Sequence, residues 1–216
     1  MAMLRSLWVL AVLASAADDD DLARALRAIR QADSYAFALR EGGDGAVEGK
    51  YQKDRPPSFT ADRIDFFKKG DALVYQQGGT WQKAKTGTQS DPLAILGASA
   101  KVRGARLPHE ELADLAKHLQ NVKKVEEKKH TVYSAELTER GARALAKPAD
   151  REVARGGTAR LWVDGQGRLT RYEITVRLKG RRGNADVDGE ATKTVTIKDV
   201  GGTKVDVPDE VRKLLE

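Results

Sequence analysis

The chain contains no cysteine, few aromatic residues and no hydrophobic run long enough to cross a membrane. The absence of cysteine excludes disulfides, thiolate metal sites and cysteine nucleophiles, so stability must come from a packed core. The apolar run Leu7–Leu13 is far below the roughly 20 residues that span a bilayer. A transmembrane anchor is therefore not expected.

Net charge is also small. The 216 residues include 38 basic and 32 acidic side chains, which gives a formal charge of +6. A surplus spread this thinly favours solubility and is not the footprint of a nucleic-acid-binding protein, so no nucleic-acid partner is expected. Hydrophobic residues make up 40% of the chain, which is enough to bury a core.

The N-terminus has the pattern of a secretory signal. Arg5 supplies the positive charge, Leu7–Leu13 the short apolar segment, and Ala14–Ala16 a small-residue cleavage site. We therefore expect residues 1–17 to be a cleaved signal peptide and residues 18–216 to form a single domain. Because no cysteine follows the apolar segment, no lipid anchor is expected. The predicted location is periplasmic or secreted.

The most regular stretch is Thr158–Val200, in which apolar and polar residues alternate. In Tyr172–Leu178 the apolar side chains fall at every second position, as in a strand with one buried face. Asp164–Gly167 has the composition of a hairpin turn, and a glycine-rich polar break follows Leu178. This stretch predicts an antiparallel meander.

Strands and helices are predicted on both sides of the meander. Five short strands are expected in the N-terminal half: Tyr35–Leu39, Val47–Tyr51, Phe59–Phe67, Ala72–Tyr75 and Thr80–Lys83. Two more are expected at Val122–Lys129 and His130–Ala135. Helices are expected over Asp20–Ala32, from Asp91, and over Pro108–Gln120, Thr138–Ala146 and Asp209–Leu215. The order predicts an α+β fold, with helices gathered on one face of an antiparallel sheet.

Two of these helices lie within Asp91–Gln120. This segment is expected to form a lid that covers the mouth of the sheet. Its inward stripe is predicted to contain Leu93, Leu96, Leu112, Leu115 and Leu119, together with Ile95. Gly97–Gly104, rich in small residues, is predicted to be a hinge between the two helices.

No pattern in the sequence indicates catalysis. The histidines His109, His118 and His130 lack metal-ligand spacing, and no Gly-x-Ser-x-Gly element is present. We therefore predict no metal, no cofactor and no enzymatic activity. What remains is an apolar sheet face, for which the sequence leaves open a filled core or a ligand cavity. Its predicted members are Phe37, Phe59, Tyr75, Trp81, Leu161, Val163, Ile174, Val176, Val195 and Ile197.

The order of elements resembles the LolA/LolB superfamily and its LppX/LprG relatives. The matching stretches are Asp33–Phe37, Gly70–Tyr75, Gly79–Trp81, Asp91–Leu93, Leu161–Leu169, Thr194–Val200 and Val207–Pro208. The resemblance implies a strongly curved antiparallel half-barrel whose concave face is covered by helices and binds acyl chains of lipids or lipoproteins. It also implies transient contact with a membrane or membrane protein. The chain lacks the anchoring cysteine of LolB and LppX/LprG and has no counterpart of LolA's lid-locking arginine. The alternative is a non-enzymatic interaction or sensing domain of the cell envelope, with a packed interior that leaves the surface to bind a protein partner.

Overall fold

The computed structural model describes residues 20–42, 45–84, 93–127, 129–146, 152–182 and 185–216. The predicted signal peptide and Asp91 lie outside these residues. The described helices are α1 over residues 20–31, α2 Leu93–Gly104, α3 Pro108–Leu115, α4 Glu139–Ala146 and α5 Asp209–Leu215. None of the described helices is long and apolar enough to span a membrane.

Eleven strands form one antiparallel sheet. They are β1 Ser34–Glu41, β2 Val47–Gln52, β3 Ser58–Ala61, β4 Ile64–Lys69, β5 Ala72–Gln77, β6 Thr80–Lys83, β7 Leu119–Glu127, β8 His130–Leu137, β9 Glu152–Asp164, β10 Leu169–Arg182 and β11 Ala185–Lys198. Their order is β6-β5-β4-β3-β2-β1-β11-β10-β9-β8-β7, so the sheet does not close on itself. The α+β class and the unclosed antiparallel sheet expected of a half-barrel are confirmed.

The chain divides into two compact units, which we describe separately. The β7–β10 unit contains the described residues of Met1–Gln31 and Leu112–Glu190. The β1–β6 unit contains those of Ala32–Glu111 and Ala191–Glu216.

The predicted strand Phe59–Phe67 is wrong in one respect, because two strands occupy this stretch. Asp62 and Arg63 both have positive φ, 51° and 65°, and join β3 to β4 as a two-residue hairpin. Positive φ at both central positions is the geometry of a type I′ turn, which usually contains glycine or asparagine. Because neither residue is glycine, the sequence pattern did not reveal the turn.

The predicted helix Pro108–Gln120 is too long. Helix α3 ends at Leu115, where the carbonyl oxygen accepts a 2.9 Å bond from the amide of His118, and Leu119 opens β7 opposite Leu137. Strand pairing with β8 therefore overrides the helical spacing of Leu115 and Leu119. The predicted hinge Gly97–Gly104 is likewise wrong, because it lies inside α2. Burial of Ala98 and Val102 on the sheet side favours the helix there.

The C-terminal helix lies where the sequence predicted it. Val211 and Leu215 of α5 are buried against Phe67 and Val74 of the sheet. Helix α4 also matches its prediction, and the Thr138 hydroxyl caps it by accepting a 2.9 Å hydrogen bond from the Gly141 amide.

Candidate ligand-binding face

The β1–β6 unit presents a row of aromatic side chains across its strands. Phe37 lies opposite Gly49, Gly49 opposite Phe59, Phe59 opposite Phe66, and Phe66 opposite Tyr75. Because directly opposed residues point to the same side of a sheet, these side chains share one face, which we call the aromatic face. The Phe37 and Phe59 rings pack edge to face, with centroids 6.0 Å apart.

Glycine at position 49 makes this packing possible. A Cβ added there would overlap the Phe37 ring, so the ring lies directly over the backbone of β2. Glycine replaces an apolar residue between Val47 and Tyr51 because the Phe37 ring occupies the volume that a side chain at position 49 would fill.

Strand β11 extends the aromatic face with two of the predicted residues. Ile197 lies opposite Phe37, and Val195 lies opposite Leu39 two positions along β1. On this face Phe37, Phe59, Tyr75, Val195 and Ile197 are 1–4% exposed. Their side chains therefore contact protein atoms over nearly their whole surface in this structure.

Trp81 does not belong to the aromatic face. It lies opposite Gln76, whereas Tyr75 lies opposite Gln82, so Trp81 and Tyr75 point to opposite sides of the sheet. The Trp81 ring instead packs edge to face on Phe67, with centroids 5.3 Å apart, beside α5. We call this side the α5 face. Because α5 covers it, the helices do not all lie on one face, which corrects that expectation.

The other predicted cavity residues lie together in the β7–β10 unit. Leu161 is opposite Tyr133 and Tyr172, and Ile174 is opposite Ala159, two residues before Leu161. Val163 and Val176 fall on the same face by the same register. All four predicted residues are buried: Leu161, Val163, Ile174 and Val176. The alternation in the sequence therefore predicted this face correctly.

Helix α2 packs against β3 and β4 through Ile95, Ala98 and Val102, which are buried. The lid prediction is wrong for two of its leucines: Leu93 is 86% exposed and Leu96 is 36% exposed. They lie on the solvent side of α2, because Ile95, Ala98 and Val102 take the sheet side at helical spacing.

The remaining lid residues are placed differently from one another. Leu112 and Leu115 are fully buried in α3, as expected of an inward stripe. Leu119 is half-buried and belongs to β7, so it is not part of a helical lid.

Lys68 attaches the end of α2 to the sheet. It is opposite Leu73, on the side of Tyr75, and its Nζ donates to the carbonyl oxygens of Val102, Arg103 and Ala105 at 3.4, 3.0 and 3.3 Å. A cation here satisfies carbonyl groups that lack partners within the helix and complements the negative end of the helix dipole. No sequence pattern indicates this contact, since Lys68 follows Phe66 and Phe67 as an ordinary polar position.

Two polar contacts join the start of α3 to the strands of the β1–β6 unit. The hydroxyl of Tyr35 lies 2.6 Å from Nδ1 of His109, whose ring also packs on Tyr51 at 4.6 Å. Nζ of Lys193 lies 2.6 Å from Oε1 of Glu111, which is fully buried. Burial lowers the pKa of His109, and the neighbouring Glu110 carboxylate opposes that shift. The spacing of the histidines argued against a metal site at His109 but did not connect this residue to Tyr35.

A cavity of about 720 Å³ opens in the β1–β6 unit beside Phe59. Its apolar wall also contains Pro57, Leu107 and Leu215, and its charged rim includes Arg55 and Lys69. This volume lies within the range of roughly 300–1,000 Å³ typical of small-molecule sites. Among the described residues, no group of three or more His, Asp or Glu side chains could hold a metal ion.

Comparison of the sequence with protein-family models and with curated proteins gives no match. Among solved structures, the fold is similar to lipoprotein LppX of Mycobacterium tuberculosis, with a TM-score of 0.52, 14% identity and coverage of 86% of this chain and 96% of that one. It is also similar to LprF of Mycobacterium bovis, with a TM-score of 0.55, 12% identity and coverage of 88% and 95%. A putative outer membrane lipoprotein-sorting protein domain from Vibrio parahaemolyticus aligns with a TM-score of only 0.27, from which we draw no conclusion. The expected likeness to the LppX type is confirmed at the level of the fold.

Proposed function

We propose that this protein is an exported, non-catalytic carrier or binding protein for acyl chains of lipids or lipoproteins. The observation that supports this most directly is the cavity beside Phe59, which borders the aromatic face. The similarity to LppX and LprF extends to the fold alone, and that fold fits the acyl-chain binding that the sequence resemblance implies. We further propose that the protein works in the periplasm or outside the cell, as the N-terminal signal pattern indicates.

The ligand we propose enters at the cavity and lies along the aromatic face beneath α2. The aromatic face is closed in this structure. Helix α2 therefore has to move away from the sheet before an acyl chain can contact Phe37 and Tyr75. The packing of α2 includes one unfavourable feature: the buried hydroxyl of Ser99 has no hydrogen-bond partner. Leaving such a group unpaired is unfavourable by about 1–3 kcal/mol. Each methylene group that the ligand buries contributes about 0.8 kcal/mol of binding free energy. Burial of about ten methylene groups would therefore outweigh the entropic cost of ordering the acyl chain and give useful affinity.

The direct test combines native mass spectrometry with an uptake assay. Protein purified from cell envelopes should carry co-purifying lipid, and delipidated protein should take up a fluorescent fatty acid from detergent micelles. Leu107→Glu places a charge in the cavity wall and should lower uptake at least about tenfold, since burying a carboxylate in an apolar site is strongly unfavourable.

Val125→Glu is the matched control. Val125 is 51% exposed in the β7–β10 unit, so its charge remains in water and uptake should be unchanged. Protein that purifies without lipid and takes up none on mixing would contradict the carrier proposal.

One observation favours the alternative, an interaction or sensing domain of the cell envelope that binds a protein partner. The aromatic face is almost fully buried, as expected of an ordinary packed core. In that case fatty acid should not raise the unfolding temperature of the protein at any concentration below the critical micelle concentration. A carrier should instead be stabilised by mass action, by about 2.7 kcal/mol at a hundredfold excess over Kd.

A further inference from the structure

Strand β7 ends the sheet, and the described residues place no strand beyond it. Its regular part is Lys123–Glu127, because a bulge around Asn121, with a φ of 51°, interrupts the pairing with β8 before Lys123. Four of the five side chains of this segment are exposed: Lys123, Val125, Glu126 and Glu127. An edge of this kind is a template to which another strand can add.

The hydrogen-bond phase of β7 follows from its hairpin with β8. Glu127 lies opposite His130, with two residues between them, and the residues that close a two-residue hairpin bond to each other. The alternation of an antiparallel ladder then gives Val125 the same inward bonding, toward Val132. The backbone groups of Glu126 therefore point away from β8, to the outer edge.

The charges of the segment are complementary to the segment itself. It reads lysine, lysine, valine, glutamate, glutamate from Lys123 to Glu127. In an antiparallel pairing of two copies that centres on Val125, each Lys124 lies opposite Glu126 and each Lys123 opposite Glu127. Every charge then lies opposite a charge of the other sign, which stabilises a strand pair.

Other registers of the two copies lack this match. A shift by one residue opposes an outward-bonding residue to an inward-bonding one, which an antiparallel ladder does not allow. A shift by two residues keeps the hydrogen-bond phase but centres the pairing on Lys124 or on Glu126. Either residue then lies opposite its own copy, and like charges directly opposite each other are unfavourable. The charge order therefore favours a single register.

The ion pairs within one chain leave this pairing possible. Nζ of Lys124 lies 3.4 Å from Glu126, and Arg160 lies 3.4 Å from Glu127. The glutamates of both pairs are exposed to solvent, so their carboxylates can also accept bonds from a second chain. Lys123 forms no ion pair within the part of the chain that the structure describes, and Glu127 of a second copy would supply one.

We propose that Lys123–Glu127 of β7 pairs with the same segment of a second copy of this chain. The contact is a two-fold, antiparallel edge pairing, in which the same surface serves both copies. Five residues from each copy form a small interface, so the dimer should be reversible and should depend on protein concentration. The proposal is independent of the carrier function, because β7 does not line the cavity beside Phe59.

Sedimentation velocity over a range of protein concentrations tests the pairing. The unaltered chain should shift from monomer to dimer as its concentration rises, and high salt should oppose the shift. Lys123→Glu together with Lys124→Glu sets glutamate against glutamate at every charged position and should weaken dimerisation at least about tenfold. Adding Glu126→Lys and Glu127→Lys reverses all four charges, sets each lysine against a glutamate again, and should restore the dimer.

The matched control combines Lys83→Glu with Lys204→Glu, two exposed lysines outside β7. It changes the net charge as much as the β7 double variant does, and it should dimerise like the unaltered chain. Lys83 lies in β6, at the other edge of the sheet, so loss of the dimer in this control would overturn the proposal. Hydrogen exchange gives a local readout: the Glu126 amide should exchange more slowly at high protein concentration.

The proposal is overturned by a chain that stays monomeric at every concentration, or by a dimer that resists the β7 double variant. A folded four-charge reversal that does not dimerise would also overturn it. Association through the apolar run Leu7–Leu13 would not respond to these charges and would give the second of these results. Val125→Glu should also dissociate the dimer, because its carboxylate meets its own copy, while fatty acid uptake stays unchanged. Loss of uptake on dissociation would contradict the independence of the two sites.

Discussion

The Tyr35 hydroxyl lies 2.6 Å from Nδ1 of His109, in a contact that joins β1 to the first turn of α3. The backbone amide of His109 also donates to the same hydroxyl oxygen, at 3.4 Å. Tyr35 can accept that bond while donating to an unprotonated Nδ1, which satisfies the groups at a buried position. The pair therefore fixes the start of α3 relative to β1.

Tyr35→Phe should destabilise the fold by about 1–3 kcal/mol, because it leaves Nδ1 of His109 without this partner in a half-buried site. Urea denaturation measures the change. Tyr51→Phe is the control: it keeps the ring contact with His109 and should stay within about 0.5 kcal/mol of the unaltered protein. Equal losses in the two variants would show that the Tyr35 hydroxyl has no special role.

Stability should fall as the pH is lowered below the ordinary pKa of histidine. Burial lowers the pKa of His109 in the folded state, so the unfolded chain binds more protons between the folded and unfolded pKa values. The stabilising contribution is therefore complete above pH of about 6.5 and is lost as the pH falls through the lower, folded pKa. Urea midpoints across this range should show the decline, and His109→Gln should reduce it. An unchanged slope in that variant would assign the decline to other groups.

Gly49→Ala should destabilise the protein by about 1–3 kcal/mol, because the added Cβ overlaps the Phe37 ring and forces it to move. Gly97→Ala is the matched control in α2, where nothing lies within 4 Å of the new Cβ. That change should stabilise the helix by about 0.5–1 kcal/mol. Thermal unfolding of both variants measures the contrast, and a neutral Gly49→Ala would mean that Phe37 repacks freely.

Lys68→Met should loosen α2 while retaining the apolar stem of the side chain. The ammonium donates to three carbonyl groups at the end of the helix, and its loss should be unfavourable by about 1.5–3 kcal/mol. Hydrogen exchange should show faster opening of the α2 amides. Lys69→Met, at the exposed neighbouring position, should change neither quantity by much. Equal protection of α2 in the two variants would rule out the attachment.

Trp81→Ala should reduce stability, by roughly 1–3 kcal/mol, without reducing fatty acid uptake. The side chain packs on Phe67 at the α5 face, on the side of the sheet opposite Tyr75. Uptake measured beside the Leu107→Glu variant supplies the comparison. A clear loss of uptake in Trp81→Ala would place the ligand on the α5 face.

The sequence by itself determined the class of the fold and most of its strands. Alternation at Tyr172–Leu178 predicted the buried face that contains Ile174 and Val176, because a period of two fixes which side chains face inward. The terminal helix Asp209–Leu215 was likewise predicted from the sequence, since local composition and spacing determine it.

The tertiary structure decided what depends on partners distant in the chain. Trp81 and Tyr75 point to opposite faces because the two-residue turn at Gly78 and Gly79 sets the register of β5 against β6, a local signal that the sequence prediction did not use. Leu119 lies in a strand because its backbone pairs with β8. Leu93 faces solvent because Ile95 and Val102 pack on the sheet from the other side of α2. The contacts of Tyr35 with His109 and of Lys68 with α2 join residues 74 and 34–37 positions apart. Only folding brings such residues together, since composition and spacing describe neighbours along the chain.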